Sequence, residues 1–413
     1  MEPPIVSGRA HDHRERPGTG LTARSGAADL DLTRSPASGV DAPDPADPTD
    51  PRQVLARADA DVPAAVESEL AACLAERRRD AAAVAPEVDG AVEVLERFVL
   101  GSGKRIRPTF AWWGWRGAGG DPARAGVVLR AVSALELLQA CALVHDDYID
   151  ASATRRGCPT VHVEFAARHR DAGWTGEAER FGAAAAILLG DLALAWADDM
   201  LQGSGLDAAA LARAGEPWRA MRTEVLCGQY LDVLAQARAD TTSASAMRVN
   251  RFKTAAYTVE RPLHIGAALA GADDALTDAY RRFGADVGVA FQLRDDMLGV
   301  FGDPEVTGKP AGDDLREGKR TLLVALALER ADERGDAAAA QVVTQALGDA
   351  DLDDAGVDRV RQVLVDLGAT DAVEDRIATL TTSALDALDG ADVAEPAAAM
   401  LADLADRATR RRR

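Results

Sequence analysis

Residues 145–157 read HDDYIDASATRRG, so three aspartates fall within five positions and two adjacent arginines follow them. On a helix, Asp146 and Asp150 share a face and Asp147 flanks it. Carboxylates this close repel one another, and at a helix C-terminus they also oppose the helix dipole. The pattern indicates a bound cation, with an acidic helix end in solvent as the alternative. Mg²⁺ suits such a cluster because it takes few protein carboxylates and completes its shell with water and phosphate oxygens.

The sequence around this cluster predicts a buried helix and a second cluster of the same kind. Residues 134–144 (ALELLQACALV) are apolar enough to carry the aspartates at the end of a buried helix. Asp295 and Asp296 likewise end an apolar run, and Lys309 and Lys319 follow them. Two such helix ends facing each other would hold several Mg²⁺ ions around one diphosphate, with the lysines on the remaining oxygens.

A basic segment, GSGKRIRP at 101–108, places Lys104, Arg105 and Arg107 between glycines and a proline. The segment is unlike a P-loop, because Phe98 stands at the first glycine position and Arg105 at the Ser/Thr position. By itself it indicates either an anion-binding loop or an ordinary basic turn.

The amino-acid composition indicates which kinds of binding partner and which cellular compartment to expect. The chain has 47 Lys and Arg against 67 Asp and Glu, a net charge of −20 that disfavours a nucleic-acid partner. The four cysteines form no C-x-x-C pair and the N-terminus has no apolar signal core, so a reduced, cytoplasmic setting fits best. The arginine-rich end at 407–413 predicts a solvated tail, with weak contact to an anionic membrane surface as the alternative.

The organisation of the chain follows from proline content and apolar periodicity. Residues 1–52 contain eight of the 18 prolines and no apolar period, which predicts a disordered leader. Residues 53–413 read as one all-α domain with Gly-, Pro- or Asp-rich joints between helices. The predicted helices are 53–85, 88–100, 108–117, 122–150, 181–202, 207–213, 216–238, 243–271, 274–299, 319–333, 337–346, 355–367, 370–388 and 394–410.

Six segments in a fixed order resemble the trans-isoprenyl diphosphate synthases of the polyprenyl synthetase family, most closely the geranylgeranyl type. They read GSGKRIRP, ELLQACALVHDDYIDASATRRG, GQYLD, FKTA, FQLRDD and GDPEVTGKPAGDDLREGKRT. The resemblance covers roughly residues 53–410. It implies a single-domain helical bundle around a deep apolar cavity, a homodimer, three Mg²⁺ ions per active site, and isopentenyl and allylic diphosphates as substrates.

The resemblance also implies a role for each matching residue. The implied metal ligands are Asp146, Asp147, Asp150, Asp295 and Asp296. The implied ligands of the allylic diphosphate are Arg155, Lys309 and Lys319, and those of isopentenyl diphosphate are Lys104, Arg107, Gln139 and Arg156. The residues implied near the reacting carbon are Lys253, Thr254 and Gln292, which with Arg155 form the catalytic set. Two further substrate-site residues, placed behind these, are Gln229 and Asp232.

Two positions depart from the family pattern. Gly299 stands where the second aspartate-rich motif usually ends in a third aspartate, so we expect Asp295 to hold metal and the affinity for the last Mg²⁺ to depend on this change. Ser102 replaces the first glycine of the usual pair before Lys104, which is a mild change unless the position needs a positive φ.

The implied reaction is a head-to-tail condensation. Diphosphate leaves the allylic substrate, and the double bond of isopentenyl diphosphate attacks the resulting allylic cation. The resemblance implies that the departing diphosphate removes the proton. His145, next to the aspartates, is expected to be structural rather than a base.

Product length is expected to depend on the helix that precedes Asp146, because one helical turn of ~5.4 Å is close to one isoprene unit. Cys141 and Ala142 are small where relatives that stop at C15 typically carry bulky aromatics, so growth should pass C15. The next turn offers Leu137 and Leu138, and Trp196 on another helix would act as a plug. We therefore expect a C20 product, with C25 or longer as the alternative.

Two other classes of protein remain as alternatives. A class I terpene cyclase shares the fold and one aspartate-rich motif, but it would lack GSGKRIRP, and Gly299 and Asp303 do not fit its second metal motif. A non-catalytic regulatory subunit would usually lack the first aspartate cluster or the basic motifs, which this chain keeps. Gly299 leaves the regulatory alternative open.

Overall fold

The computed structural model describes residues 50–101, 103–302 and 312–410, and these are almost entirely helical, as predicted. The α-helices are α1 Pro51–Ala60, α2 Val62–Val84, α3 Asp89–Leu100, α4 Ile106–Gly117, α5 Ala125–Ile149, α6 Val161–Asp171, α7 Ala178–Gln202, α8 Ala208–Ala237, α9 Ser243–Val249, α10 Arg261–Ala270, α11 Asp274–Phe301, α12 Asp313–Arg316, α13 Leu322–Arg334, α14 Ala337–Ala346, α15 Asp354–Asp366, α16 Ala369–Asp389 and α17 Ala397–Thr409. Short 3₁₀ turns at Pro86–Val88 and Pro122–Arg124 precede α3 and α5, and a π-helix at Asn250–Glu260 joins α9 to α10. Strands β1 (Thr154–Arg155) and β2 (Cys158–Pro159) pair antiparallel as a short hairpin.

Side-chain caps explain where several helices begin. Asp61 leaves the helical conformation and its carboxylate accepts the backbone N–H of Ala64 at 3.0 Å, which ends α1 and starts α2. The single helix predicted over 53–85 is therefore wrong at this point. Asp207 and Asp273 cap α8 and α11 in the same way.

Three further differences from the predicted helices have a packing explanation. Helix α6 was not predicted, and it forms because Val161, Phe165 and Ala166 bury one side of a largely polar segment. Helix α8 runs unbroken through Pro217, where two helices were predicted, since the residues around the proline pack into the core. The predicted helix 243–271 is divided into α9, the π-helix and α10.

Two apolar clusters support the helix ends that carry the aspartates. The larger cluster surrounds α5, which packs along α7 and has most of its residues buried. Trp112 and Trp113 of α4 belong to the same cluster. The smaller joins the C-terminal half of α11 to α13, α15 and α16. The π-helix lies against both α8 and α11. Side chains of the π-helix reach from there to Asp146 near the end of α5 and to Asp296 near the end of α11.

Two helices of the described residues are long and apolar enough to cross a membrane by length and composition alone. In α5 the apolar window is 72% buried inside the fold, as expected for a core helix. In α7 the corresponding figure is 39%, so this helix has an uncovered apolar face. Phe181, Ile187 and Leu188 contribute to that exposed face.

Candidate active site

Asp146, near the end of α5, is the centre of a charged network. Its Oδ1 accepts hydrogen bonds from Nζ of Lys253 at 3.1 Å and from Nε2 of Gln229 at 3.0 Å. A guanidinium nitrogen of Arg155 lies 3.7 Å from its Oδ2. Burial disfavours the charged carboxylate, but Lys253, helped by Lys319 and Arg155, outweighs burial and holds the pKa of Asp146 below its usual range.

Asp147 shares Arg155 with Asp146 and, through this arginine, holds the hairpin. Its carboxylate is 1% exposed and accepts two hydrogen bonds from Nε of Arg155, at 2.7 and 2.9 Å. A second guanidinium nitrogen of Arg155 lies 2.6 Å from its Oδ1. Asp147 was predicted to bind metal together with Asp146 and Asp150, but in the structure its carboxylate orients Arg155. A guanidinium group suits this role because it can bind a carboxylate through two hydrogen bonds at once.

Asp150 ends α5 on the same face as Asp146, as the helical spacing predicted. Burial, followed by the charge of Asp146, raises the pKa of Asp150 to about 7. Ser152, just beyond the helix, donates a hydrogen bond of 3.3 Å to Glu317, which precedes Lys319. This contact brings the region after α12 next to the end of α5.

The second acidic pair lies near the end of α11. Asp295 is exposed, whereas Asp296 is buried and accepts a 2.6 Å hydrogen bond from Nε2 of Gln292 and a 3.5 Å hydrogen bond from Nδ2 of Asn250. Burial raises the pKa of Asp296 to about 8, with the charges of Asp314 and Asp295 adding to the effect.

Asp314 fills the space beside Gly299. A Cβ atom built on Gly299 would lie 1.9 Å from Oδ2 of Asp314. An aspartate at position 299 would therefore require Asp314 to move. The usual motif has an aspartate at position 299, where this chain has glycine. The carboxylate of Asp314, on α12, lies beside that position instead.

Lys319 connects the two acidic helix ends. Its Nζ lies 3.0 Å from Oδ1 of Asp314 and 2.6 Å from Oε2 of Glu317. Its charge also acts to lower the pKa values of Asp146, Asp150 and Asp296, which belong to α5 and α11. The two predicted clusters therefore face a common lysine. Lys309 and Ser102 lie outside the described residues.

The basic segment before α4 is held by a buried ion pair. NH1 of Arg105 donates a 3.0 Å hydrogen bond to Oε2 of Glu136 on α5, and both side chains are almost fully buried. Arg105 has a left-handed backbone conformation, with φ of 48°. Lys104, next to it, is exposed. The buried pair thus fixes the loop while the lysine remains at the surface.

Arg107 and Gln139 are both organised by Tyr257 of the π-helix. The guanidinium of Arg107 lies 3.8 Å from the centre of the Tyr257 ring and donates a 2.9 Å hydrogen bond to Thr258. The Tyr257 hydroxyl donates a hydrogen bond to Oε1 of Gln139. Cation–π contact of this kind orients a guanidinium as well as stabilising it.

Arg156 completes the basic side of the site. A Cβ atom built on Gly103 would lie 3.7 Å from a guanidinium nitrogen of Arg156 and 3.1 Å from one of Arg105, so the two guanidinium groups lie near the same glycine. Burial, with the charges of Arg155 and Arg105, lowers the pKa of Arg156. A group in this position gains from a bound anion.

The π-helix, α8 and α11 carry the residues predicted to lie near the reacting carbon or behind it. Lys253 donates a 2.6 Å hydrogen bond to Oδ2 of Asp232 as well as to Asp146. Thr254, the next residue, is half-buried on the π-helix. Gln292 is engaged by Asp296. The structure thus joins Lys253 directly to Asp232 and, through Asp146, to Gln229, and it joins Gln292 to the second acidic pair.

Sequence reasoning missed several side chains of this network. The missed residues are Glu136, Asn250, Tyr257, Thr258, Asp314 and Glu317. A usable signal existed for Tyr257, which follows Lys253 by four positions in a helical segment and so shares its face. Asp314 and Glu317 belong to the quoted GDDLREGK run, in which only the lysine was singled out.

The residues predicted to set product length lie on the α5 side of the core. Leu138 and Cys141 are each 2% exposed, Trp196 is 7% exposed, and Ala142 is half-buried. Sγ of Cys141 lies 3.7 Å from Nδ1 of His145. These side chains form an apolar wall that starts one turn before Asp146.

His145 bridges α5 and α7. Its Nε2 lies 3.1 Å from the carbonyl oxygen of Ile187, and a Cβ atom built on Gly190 would lie 2.1 Å from the same nitrogen. The imidazole therefore occupies the gap that Gly190 leaves in α7. This position agrees with the structural role predicted for His145.

The acidic side chains fit Mg²⁺ in the way that this ion is usually bound. Within residues 50–101, 103–302 and 312–410, no group of three His, Cys, Asp or Glu side chains is close enough to form a protein cage for a metal. Mg²⁺ does not require such a cage, since it commonly takes one or two carboxylates and receives its other oxygens from water and substrate phosphates. Asp146, Asp150 and Asp295 are hard oxygen donors near helix ends. They would supply the one or two carboxylates that Mg²⁺ takes from a protein.

Comparison with known proteins agrees with this geometry. The polyprenyl synthetase family model matches residues 90–362. The crystal structure of geranylgeranyl pyrophosphate synthase from Corynebacterium glutamicum, complexed with isoprenyl diphosphate and magnesium, is similar with a TM-score of 0.82 and 48% sequence identity, over 85% of this chain and 98% of that chain.

Two curated relatives extend the comparison. Geranylfarnesyl diphosphate synthase of Aeropyrum pernix is 34% identical over 291 residues, which are 70% of this chain and 83% of that protein. Geranylgeranyl diphosphate synthase of Mycobacterium tuberculosis is 38% identical over 232 residues, which are 56% of this chain and 60% of that protein. The chain belongs to the polyprenyl synthetase family of trans-prenyltransferases.

Proposed function

We propose that this prenyltransferase adds isopentenyl diphosphate to an allylic diphosphate and releases mainly geranylgeranyl diphosphate, a C20 product. The observation that supports it best is that Lys319 pairs with Asp314, which lies against Gly299 of α11, and with Glu317, which accepts a hydrogen bond from Ser152 at the end of α5. On the basic side, Arg107 is held against Tyr257, and Arg156 lies with Arg105 beside Gly103. Two diphosphates would therefore bind side by side, as a head-to-tail condensation needs.

The charged side chains divide the work between the two substrates. Arg155, Lys253 and Lys319 bind the diphosphate that leaves, and Lys104, Arg107 and Arg156 hold the diphosphate that stays. Mg²⁺, when bound at the acidic helix ends, would neutralise the negative charge that develops on the leaving diphosphate. The relative from C. glutamicum was crystallised with magnesium. We propose three such ions per active site, the number that the resemblance to the family implies.

Carbon–carbon bond formation needs stabilisation of positive charge and removal of one proton. The hydroxyl of Thr254 and the side-chain carbonyl of Gln292 present dipoles to the allylic cation. The double bond of isopentenyl diphosphate attacks this cation, and a proton then leaves the adjacent carbon. The departed diphosphate is the base we propose, because His145 is engaged by α7.

The product length is proposed from the α5 wall. Ala142 and Cys141 leave room one turn before Asp146, so a C15 chain can grow further, and Leu138 with Trp196 would close the channel at C20. The relatives include geranylgeranyl, geranylfarnesyl and farnesyl synthases, so the choice of C20 rests on the α5 wall and not on the relatives.

The oligomeric state and the compartment are further parts of the proposal. The uncovered apolar face of α7, with Phe181, Ile187 and Leu188, is suited to pairing with a second copy in a homodimer. We also propose a cytoplasmic location with at most weak membrane contact, and the acidic composition and the lack of a C-x-x-C pair support it.

Product analysis tests the proposed function. Purified protein would be incubated with Mg²⁺, isopentenyl diphosphate and C5, C10 or C15 allylic primers, and the diphosphate products separated by length. A dominant C20 product supports the proposal, and C25 or longer products would move the channel floor beyond Leu138 and Trp196. If intact, dimeric protein elongates none of the primers, the regulatory-subunit alternative replaces the catalytic one.

A further inference from the structure

One segment, the π-helix at residues 250–260, contacts both acidic helix ends and the Arg107 side of the proposed site. Asn250 donates to Asp296 at the end of α11, and Lys253 donates to Asp146 and Asp232. The last turn contacts the basic side, where Tyr257 donates to Gln139 and Thr258 accepts from Arg107. The relative positions of both substrate sites therefore depend on the backbone of this one segment.

The backbone of this segment has an unusual register. Hydrogen bonds from residue i to i+5 continue over eleven residues, whereas π-helical structure usually appears as a single turn within an α-helix. The wider helix fits because its neighbours carry glycines. Cβ atoms built on Gly228 of α8 and on Gly284 and Gly288 of α11 would lie 2.3 to 2.6 Å from its backbone atoms.

An ion pair within the segment is specific for this register. Arg251, near the start, pairs with Glu260 at the end, nine residues later. In an α-helix of 3.6 residues per turn, nine residues make two and a half turns and leave the two side chains on opposite faces. With i→i+5 bonding, a turn takes about 4.4 residues, so nine residues make close to two turns and bring both side chains to the same face.

The shared carboxylate is buried and has a second partner outside the segment. The side chain of Glu260 is 1% exposed, and its Oε1 accepts a 3.2 Å hydrogen bond from Nε of Arg281 on α11. The Arg281 pair joins two helices and does not depend on the register within 250–260. The Arg281 pair therefore attaches the segment to α11, whereas the Arg251 pair requires the π-helix. Substituting each arginine in turn tests the two contacts independently.

We infer that Arg251 and Glu260 are positioning residues for prenyl transfer, and that their ion pair locks the π register that places Lys253 and Tyr257 correctly. The inference rests on the function proposed above. Without the pair, part of the segment relaxes toward the α-helical register. Each residue that changes register rotates about the helix axis by roughly the difference in rotation per residue between an α-helix and a π-helix. This rotation moves Lys253 relative to Asp146 and Asp232.

The test compares three substitutions at one carboxylate and its two partners. Arg251→Gln removes only the pair across the segment, Glu260→Gln removes both pairs, and Arg281→Gln removes only the pair to α11 and serves as the matched control. We expect kcat to fall on the order of tenfold to a hundredfold in the first two variants, because small misplacements of catalytic groups have effects of this size. Arg281→Gln should lower the thermal unfolding midpoint comparably but leave kcat within about threefold of wild type.

Two further readouts separate positioning from simple loss of stability. Arg251→Lys keeps the charge and should recover most of the turnover lost in Arg251→Gln. A crystal structure of Arg251→Gln should show fewer residues with i→i+5 bonds between 250 and 260. Equal kcat losses in Arg251→Gln and Arg281→Gln, or an unchanged π-helix in the Arg251→Gln crystal, would overturn the inference. An inactive wild-type protein would count against the proposed function, and the crystal comparison would still test the register lock.

Discussion

The ammonium group of Lys253 lies 2.6 Å from Oδ2 of Asp232 and 3.1 Å from Oδ1 of Asp146. Burial acts to lower the pKa of Lys253, but the two carboxylates outweigh it and raise the pKa above its usual value. The lysine is therefore protonated at every pH at which the enzyme would work. From the π-helix, its ammonium group reaches the carboxylates of α5 and α8 before any substrate binds.

Replacing Lys253 should affect the chemical step more than the fold. Lys253→Met removes a cation that stabilises the leaving diphosphate, so kcat should fall on the order of a hundredfold. Steady-state turnover at saturating substrates measures this, with the thermal unfolding midpoint recorded beside it. Asp232→Asn is the control, since it keeps the ammonium group and should retain more activity than Lys253→Met. Turnover of Lys253→Met within a few-fold of wild type would contradict the role proposed for the ammonium group.

Tyr257 allows the isopentenyl diphosphate site to be tested separately. Tyr257→Phe keeps the ring below Arg107 but removes the hydroxyl that donates to Gln139. We expect the KM for isopentenyl diphosphate to rise several-fold, since one hydrogen bond is worth about 1 kcal/mol, while the KM for the allylic primer changes little. Initial rates with each substrate varied in turn would show this.

The matched control for this experiment is Tyr280→Phe. Tyr280 is also fully buried, but its hydroxyl lies against Gly117 of α4 and not in the proposed site. That variant should leave both KM values unchanged. Equal changes in the two KM values of Tyr257→Phe would indicate that Tyr257 supports the whole site and not the isopentenyl diphosphate side alone.

Product length gives a test of the α5 wall. Ala142→Phe places a ring one turn before Asp146 and should shift the main product from C20 to C15, because one turn corresponds to about one isoprene unit. Chromatography of the dephosphorylated products measures the shift. With a C5 primer the variant should still complete the first two additions at near wild-type rate, which controls for damage to the acidic cluster. An unchanged C20 product would place the growing chain on another face of the core.

The helical spacing of residues 134–150 and 287–296 was sufficient to predict two apolar helices with acidic pairs near their C-terminal ends, because burial of an apolar face is a local property. The second acidic pair was expected to end its apolar run, but α11 continues beyond it to Phe301. The break at Asp61 was also readable, since an aspartate followed two residues later by proline is typical of a helix start. The prediction failed there because the apolar period continues across the break. The leader predicted for residues 1–52 is wrong at its end, where Pro51 and Arg52 belong to α1. Residues 1–49 lie outside the described part of the chain, so for them the leader stays a prediction.

The roles of individual side chains depended on contacts that a sequence does not display. Asp146 and Asp147 are adjacent and chemically identical, yet one faces Lys253 and the other is buried against Arg155. The π-helix could not be predicted either, because apolar periodicity over eleven residues does not separate i→i+4 from i→i+5 bonding. The glycines that accommodate it belong to other helices and are distant in sequence.

The buried carboxylate of Asp296 leads to a prediction about pH. Its pKa is raised from its usual value to about 8 in the folded protein, so between these two values the folded chain binds more protons than the unfolded chain. Stability therefore falls as pH rises through this range, by at most about 1.4 kcal/mol per pH unit for one proton. Asp296→Asn keeps the shape of the side chain and removes its titration.

Denaturant unfolding between pH 5.5 and 8.5, in chelator, should show this difference directly. The free energy of unfolding of wild type should decline relative to that of Asp296→Asn as the pH rises and should level off above about pH 8, where Asp296 is charged in both states. Mg²⁺ with inorganic diphosphate should reduce the decline, because a bound cation favours the charged carboxylate. Parallel pH profiles for the two proteins would mean that Asp296 is already ionised in the folded protein near pH 6. In that case the contacts from Gln292 and Asn250, rather than burial, control its charge.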